Sequence, residues 1–264
     1  MTLIATHLCR HGIVLSSDSN LSDGTTGLLA ATGPKTFAIP YLNAGLSFAG
    51  AYGVGSESMD TWMPRFITDS QAAGCATLGD FAERLRDAFQ TGTAGQSPDI
   101  MLAHIAGYAT GANGFHPEFH FVRNTPGMTS NGEYELASPI FTTTEDFHAR
   151  DCKHRNEPSG FGNDGTVQFY FNGFPSGRMA YLAAVEHVGP FLRGVWNTPV
   201  LGFRPPSTLA EFVGYVRLHM TVIHELFAMS GQTEIGGDIQ TLAIAPPESG
   251  QSSALNLCHV GSLP

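Results

Sequence analysis

Short apolar runs separated by glycine and proline recur along the chain and predict β-strands joined by tight turns. Gly12 marks a turn between the first two runs, and Pro40 interrupts the chain between the third and the fourth. The strand candidates are, in chain order, 3–7, 13–17, 35–39, 44–48, 100–108, 118–123, 166–171 and 239–245.

Apolar residues at helical spacing predict three helices between and after these strands. The first covers about 56–69, and the second begins after Thr77, whose hydroxyl can cap it. The last begins after Thr208, with Glu211 three residues later as a capping-box partner. Gly231 is a natural stop for it.

Strands and helices come in blocks rather than in strict alternation, which favours a layered α+β fold over a doubly wound sheet. The stretch 142–206 is the hardest to assign, since it mixes charged, glycine, proline and aromatic residues. It holds one clear β-prone run and a short helix candidate near Ala183. We interpret it as an insertion within a single domain spanning 1–264.

The charge balance argues against a nucleic-acid partner, because the formal net charge is −10 and lysine and arginine form no cluster. No apolar run approaches the roughly 20 residues that span a bilayer, and the N-terminus lacks the pattern of a secretory signal. Cys9, Cys75, Cys152 and Cys258 are scattered without a CxxC pair, as expected for reduced thiols. These features predict a cytoplasmic protein with no membrane association.

Charged residues make up only 14% of the chain, which leaves much of the surface neutral. A neutral surface suits a subunit that buries part of itself in an assembly. A surface rich in serine, threonine, asparagine and glycine would produce the same composition.

Thr2 is a candidate nucleophile because it follows Met1, and a small second residue permits removal of that methionine. A threonine hydroxyl needs a base to accept its proton. The α-amine of a first-residue threonine can serve, since its unperturbed pKa is about 7.7–8.0. Many proteins begin with Met-Thr and have no such activity, so Thr2 alone does not indicate a catalytic role.

Three further candidate catalytic residues follow Thr2 along the chain. Asp18 ends the second predicted strand, Lys35 opens the third, and Gly50 lies in a small-residue turn before a helix. Taken singly, Asp18 is typical of a turn residue bonded to its own backbone, Lys35 of a solvated charge at a strand end, and Gly50 of a turn glycine. Their order and spacing resemble the proteasome β-subunits and the bacterial peptidase HslV. The separation of sixteen residues between Thr2 and Asp18 matches that family, and the seventeen from Asp18 to Lys35 exceed it by one.

The resemblance implies a divergent bacterial, proteasome-like branch of the N-terminal-nucleophile hydrolases. Its fold is a four-layer αββα sandwich of two antiparallel sheets flanked by helices. In that family pattern Thr2 attacks peptide bonds, Asp18 holds Lys35 charged, and Lys35 favours the deprotonated hydroxyl. The backbone N–H of Gly50, or of Ala51, stabilises the oxyanion. The resemblance further implies peptide substrates, a homo-oligomeric ring or helical stack and an ATPase partner, with no cofactor and no metal.

The match is partial towards the C-terminus. The run 236–239 resembles the paired glycines before the last strand of the family, but Gln232 and Ile235 stand where the family has an aspartate and a serine. A Gly-Ser-Gly turn of the family is matched only by 201–203, with Ser207 nearby. Two alternatives therefore stay open: a non-catalytic ring or scaffold subunit, and a small-molecule amidase.

Two further expectations concern ligands. His148, Asp151, Cys152 and His154 form a compact group of metal-ligand types, but zinc sites usually combine two such pairs, so a polar surface loop is the preferred interpretation. The stretches expected to line the substrate pocket, at Asn20, 31–33 and 45–53, are small and uncharged. They predict no selection for acidic or basic side chains.

Overall fold

The computed structural model describes residues 2–9, 11–23, 26, 28–111, 114–127, 134–145, 153–157, 167–247 and 257–260. Within these ranges the protein is a mixed α/β fold with several antiparallel sheets, as predicted, and it has four α-helices. None of the helices in these ranges combines the length and the apolar character needed to cross a membrane.

Each strand candidate overlaps an observed strand. The strands of the described residues are, in chain order, β1 (Leu3–Cys9), β2 (Gly12–Ser17), β3 (Asn20–Ser22), β4 (Leu29–Thr32), β5 (Thr36–Ile39), β6 (Ala44–Gly50), β7 (Gly53–Val54), β8 (Glu57–Ser58), β9 (Met101–Gly111), β10 (Gly114–Arg123), β11 (Thr142–Glu145), β12 (Lys153–Glu157), β13 (Val167–Gly173), β14 (Gln240–Ile244) and β15 (Leu257–Val260).

The α-helices of the described residues are α1 (Met59–Ala72), α2 (Leu78–Gly92), α3 (Pro175–Trp196) and α4 (Leu209–Met229). The predicted caps are confirmed, because the hydroxyl of Thr77 accepts the N–H of Asp80 and that of Thr208 accepts the N–H of Glu211. The carboxylate of Glu211 accepts the backbone N–H of Ser207 at 2.8 Å, one residue earlier than a capping box requires.

The larger sheet has six strands in the order β12-β13-β1-β2-β14-β15, and the second has five in the order β11-β10-β9-β6-β5. All pairings in both sheets are antiparallel. The strand β1 is central, since β13 pairs with one edge and β2 with the other. Thr2, one residue ahead of β1, is therefore attached to a strand that is fixed on both sides.

Apolar side chains from both sheets form one core cluster, in which Ile4 and Leu242 of the six-stranded sheet meet Leu102 and Phe121 of the five-stranded sheet. A second cluster joins α1 and α2 to the five-stranded sheet. Two more join α3 and α4 to the six-stranded sheet. The candidate site lies at the ends of strands that border the core cluster between the two sheets.

The stretch 142–206, expected as an insertion, is integral to this core within its described part. It supplies β13, which pairs with β1 from Leu3 opposite Gly173 to Leu8 opposite Gln168. It also supplies α3, a helix of 22 residues where only a short one near Ala183 was predicted. The six-stranded sheet depends on this stretch, because one edge of its central strand pairs with it.

Candidate active site

Thr2 is held against the turn that precedes α3. Its side chain and backbone are almost fully buried, with 4% of the residue exposed. The backbone N–H of Phe174 donates to the carbonyl of Thr2 at 2.7 Å. Gly173 has a φ of +131°, and a Cβ there would lie 1.9 Å from the Thr2 carbonyl oxygen. Only glycine therefore allows the turn to approach Thr2 this closely.

The sequence analysis matched the glycine-containing turn of the family to 201–203, with Ser207 nearby. Gly202 and Phe203 are exposed and precede α4, whereas Gly173 and Phe174 contact Thr2. The turn that contacts Thr2 follows β13, which the sequence analysis placed within the expected insertion. Phe174 offers no hydroxyl at this point, so its contribution to Thr2 comes from the backbone.

Asp18 is fully buried and follows β2 directly. Its Oδ1 accepts the N–H of Leu3 at 2.8 Å, and its Oδ2 accepts the N–H of Asn20 at 3.1 Å. The same Oδ2 accepts a hydrogen bond from Lys35 Nζ at 3.1 Å. The bond to Asn20 is the ordinary turn contact, but the other two join the carboxylate to the residue after Thr2 and to Lys35.

Lys35 precedes β5 and is 0% exposed, so it is not a solvated charge at a strand end. Its Nζ donates to Asp18 Oδ2 and to the carbonyl of Asn20. Burial lowers the pKa of Lys35, and the neighbouring Asp18 carboxylate opposes that shift. Burial likewise raises the pKa of Asp18, opposed by Lys35 and by the N–H of Leu3. Taking an ion out of water costs several kcal/mol, so such a pair is a poor choice for stability alone.

Gly50 ends β6 with a φ of +106°, and a Cβ there would lie 1.8 Å from the carbonyl oxygen of Ile100. The N–H of Ala51 donates to that carbonyl at 3.0 Å, and the N–H of Phe48 donates to the carbonyl of Lys35 at 3.0 Å. Because successive N–H groups of a strand point to opposite edges, the N–H of Gly50 points to the edge that faces Lys35. The geometry therefore favours Gly50 over Ala51 as an oxyanion donor.

Thr2 and Gly50 line one cavity of about 150 Å³. The cavity lies between the start of β1 and the end of β6, so each sheet contributes one of the two residues. The other lining residues are Ala49, Ile100, Leu102, Tyr134, Gly173, Phe174 and Pro175. The structure thus brings the candidate nucleophile and the candidate oxyanion donor to the same space, and links Thr2 through Leu3 to the buried Asp18–Lys35 pair.

Gln240, the first residue of β14, was missed by the sequence analysis. Its Oε1 accepts the N–H of Lys35 at 2.7 Å and that of Thr36 at 3.2 Å, and its Nε2 donates to the carbonyl of Gly33 at 2.9 Å. The hydroxyl of Ser17 also donates to Oε1, at 3.3 Å. A single glutamine at the start of a strand carries no signal of such a role, since every partner lies more than 200 residues away along the chain.

The paired-glycine run before β14 lies against the segment that follows Asp18. The carbonyl of Gly236 accepts the N–H groups of Ser19 and Asn20, each at 3.2 Å. Ile235 is buried in the cluster that joins α3 and α4 to the six-stranded sheet, and Gln232 is exposed. These two positions place an apolar side chain and a solvated amide where the family has polar groups.

The candidate metal ligands cannot be placed as a group. His148, Asp151 and Cys152 lie outside the described residues, and for His154 only the backbone, within β12, is described. The interpretation of this segment as a polar loop stays a prediction.

A scan against protein-family models found no match to this chain, and a search of the curated proteins found none either.

Proposed function

We propose that this chain is a proteasome-like threonine peptidase of the N-terminal-nucleophile superfamily, active once removal of Met1 exposes the amine of Thr2. The observation that carries the proposal is the buried pair of Asp18 and Lys35, joined to the backbone of Leu3 directly after Thr2. A fully buried ion pair is a weak source of stability. A lysine charge has a direct chemical use in activating a hydroxyl nucleophile, and Lys35 is joined through Asp18 to the residue after Thr2.

The proposal includes the architecture of that superfamily, a four-layer αββα sandwich. The apolar cluster shared by the two sheets supports it, because such a cluster requires the sheets to face each other. The clusters that join α1 and α2 to one sheet and α3 and α4 to the other support the two outer layers.

In the proposed reaction the Thr2 hydroxyl oxygen attacks the carbonyl carbon of a peptide bond, and its proton passes to the free α-amine of Thr2. The positive charge of Lys35 stabilises the developing alkoxide, and Asp18 fixes the position of Lys35. The N–H of Gly50 donates to the oxyanion of the tetrahedral intermediate. The C–N bond then breaks, the leaving amine takes the proton, and an ester on Thr2 remains.

Water completes the cycle. The α-amine of Thr2 accepts a proton from a water molecule as that water attacks the ester carbonyl. A second oxyanion forms at Gly50, the ester bond breaks, and Thr2 recovers its proton. The acid product leaves, so one peptide bond and one water molecule are consumed per cycle.

A non-catalytic scaffold subunit of the same fold is the weaker alternative, because it gives no reason to bury Lys35 and Asp18 together. A small-molecule amidase would use the same residues, and the modest cavity of about 150 Å³ is compatible with a small acyl group. Enclosure in an assembly separates a peptidase from an amidase, since an unenclosed peptidase would cleave its surroundings.

We therefore include in the proposal a homo-oligomer, either a closed ring or an open helical stack, with an ATPase partner that supplies substrate. Head-to-tail contacts produce either form, depending on the rotation between subunits. Large apolar side chains are exposed on α3, on α4 and between them, as expected of a surface that another subunit covers. These are Met179, Phe191, Val200, Leu201, Phe203, Leu218, Leu226 and Met229.

The test is covalent labelling by a peptide that carries a carbonyl-type electrophile, with the adduct located by mass spectrometry. The proposal expects one adduct, on Thr2, in protein that has lost Met1. The Lys35→Met variant is the control, because it keeps Thr2 but removes the charge, and it should label at least a hundredfold more slowly, a typical cost of losing an electrostatic catalytic group. Labelling elsewhere, or equal labelling of the variant, would sink the proposal.

A further inference from the structure

The cavity between Thr2 and Gly50 does not coincide with the pocket expected from the sequence. That expectation named Asn20, 31–33 and 45–53, and the cavity shares only Ala49 and Gly50 with it. Ala49 belongs to the core cluster shared by the two sheets, whereas its neighbour Phe48 belongs to the cluster under α1 and α2. The cavity therefore opens on the inter-sheet side of β6.

The walls of the cavity are apolar. Ile100, Leu102, Phe174 and Pro175 present hydrocarbon. Tyr134 presents its ring, because its hydroxyl already accepts the Nδ2–H of Asn172 at 3.1 Å and the N–H of Gly173 at 2.9 Å. A charged group buried among such walls would lose its hydration without gaining a partner. The chemistry of the walls thus selects an uncharged apolar ligand.

The size of the cavity limits that ligand. An apolar cavity of about 150 Å³ is known to hold a six-membered hydrocarbon ring. The group that fits therefore ranges from a branched aliphatic chain such as isobutyl to a phenyl ring. A methyl group would leave most of the space empty.

The walls are fixed before any ligand arrives. The Oδ1 of Asn172 is 2.6 Å from Nε2 of His104, whose Nδ1 is 3.0 Å from the hydroxyl of Thr6. All three residues are buried, and the chain of hydrogen bonds runs from the middle of β1 to Tyr134. A connected buried network holds its members rigidly, and a preformed pocket spends less of its binding free energy on ordering.

We propose that this cavity is a substrate subsite for an uncharged apolar group, from isobutyl to phenyl, flanking the bond whose carbonyl lies between Thr2 and Gly50. The proposal rests on the threonine-hydrolase function proposed above and adds the substrate class. It commits to an apolar side chain of the substrate itself rather than to a separate ligand.

The experiment changes the cavity in two opposite directions. Ala49→Val adds two methyl groups to the wall, and Leu102→Ala removes three carbons from it. Leu15→Ala is the matched control, because Leu15 lies in the same core cluster but does not line the cavity. Misfolding cannot imitate the expected result, since the two cavity variants should shift selectivity in opposite senses.

The measured quantity is the ratio of kcat/KM between substrates that differ in one flanking side chain. One series varies the acyl side of the bond and a second varies the amine side. In one of the two series the wild type should prefer isobutyl or phenyl over methyl by about 10-fold to 200-fold, the range of hydrophobic-pocket selectivity, and should reject charged groups. Ala49→Val should favour smaller groups, Leu102→Ala larger ones, and Leu15→Ala should leave the ratios unchanged. Unchanged ratios in both cavity variants would overturn the subsite.

Xenon-pressurised crystals give a readout that needs no turnover. Xenon bound between Thr2 and Leu102 in the wild type, and lost in Ala49→Val, supports the apolar site by itself. An unoccupied cavity in the wild type overturns it. Turnover that fails while xenon binds would refute the proposed hydrolase function and, with it, the substrate role of the cavity.

Discussion

The side-chain oxygen of Gln240 accepts the backbone N–H of Lys35 at 2.7 Å. Gln240 opens β14 of the six-stranded sheet, and Lys35 precedes β5 of the five-stranded sheet. The contact therefore links the two sheets at the point where Lys35 meets Asp18. Gln240 therefore helps to position the Lys35 ammonium group, although it bonds to the backbone of Lys35 and not to the ammonium itself.

We expect Gln240→Met to lower kcat by about 10-fold to 100-fold, as is common when a residue that supports a catalytic group is lost, with little change in KM. The methionine keeps the length of the side chain but leaves the N–H groups of Lys35 and Thr36 without their acceptor. Steady-state kinetics across pH provide the check, because a displaced Lys35 should also move the acidic limb of the kcat profile. Gln240→Glu keeps the acceptor oxygen for Lys35 and Thr36 but loses the donor to the Gly33 carbonyl, so it should restore part of the rate. Equal losses in both variants would argue for a purely structural role.

Lys35→Met should abolish turnover and also destabilise the protein by about 3–5 kcal/mol, the usual result of leaving one partner of a buried ion pair behind. From the sequence alone, as a charge exposed at a strand end, Lys35 would be expected to contribute little to stability. The structure reverses that expectation, since Lys35 is fully buried. Urea denaturation measures the change in the free energy of unfolding.

The double variant Lys35→Met/Asp18→Asn separates stability from chemistry. It removes the uncompensated carboxylate and should regain a large part of the lost stability while staying inactive. Asp18→Asn alone should also be inactive, because it no longer holds the charge of Lys35. Measurable turnover in the double variant would refute the assigned role of the pair.

Maturation at Thr2 can be tested with two substitutions that both keep the second residue small. Thr2→Ser retains a hydroxyl and should retain part of the activity, whereas Thr2→Ala should have none. Intact-mass measurement should show loss of Met1 in all three proteins, which makes Thr2→Ala a control matched for processing. Activity in Thr2→Ala, or full retention of Met1 in an active wild type, would contradict the proposed nucleophile.

We expect the fold to be sensitive to acid because His7, His104 and His219 are buried and His224 is partly buried. Burial is the main cause that lowers the pKa of His7 to about 3 and that of His104, His219 and His224 to about 4. The unfolded chain titrates near pH 6.5, so it binds more protons than the folded chain below that pH. The stabilisation is therefore complete above about pH 6.5 and is lost as the pH falls towards 4.

We expect the free energy of unfolding to fall by several kcal/mol between pH 7 and pH 4.5, as measured by urea denaturation at each pH. His104→Gln can keep hydrogen bonds to Thr6 and Asn172 but cannot titrate. It should reduce the number of protons taken up on unfolding by about one. A stability that does not vary over this range would show that these histidines are protonated without unfolding.

Self-assembly is the remaining expectation. Light scattering at micromolar concentration should give a mass several times that of the 28.1 kDa chain. Replacing exposed apolar residues such as Phe191 and Leu226 by aspartate should reduce that mass, because obligate interfaces are apolar and commonly bury more than about 2,000 Å². A monomeric mass across a range of salt would favour the small-molecule amidase.

The sequence predicted those parts of the fold that local chemistry decides. The caps at Thr77 and Thr208 and the strand candidates follow from nearest neighbours along the chain, and the structure has them. The full length of α3 was missed because Gly189 and Pro190 interrupt the helical pattern, and packing against α4 overrides them.

The candidate site likewise contains residues that the sequence predicted and residues that only the structure revealed. Asp18 and Lys35 were proposed because their order along the chain resembles that of a known family, and the structure places them in contact. The contacts of Gln240 and of the turn at Gly173 join parts of the chain more than 170 residues apart, and no local pattern marks them. Their roles required the structure.

Gln240, which lies 205 residues after Lys35, also affects when the candidate site can form during synthesis. Residues 2–50 emerge from the ribosome first, yet β1 needs β13, and the ends of β2 and β5 need Gln240, near the far end of the chain. Pairings so distant in sequence form late and slowly. A nascent chain therefore carries Thr2 for most of its synthesis without β13 and Gln240 in place, so the proposed activity would arise only after nearly the whole chain has been made.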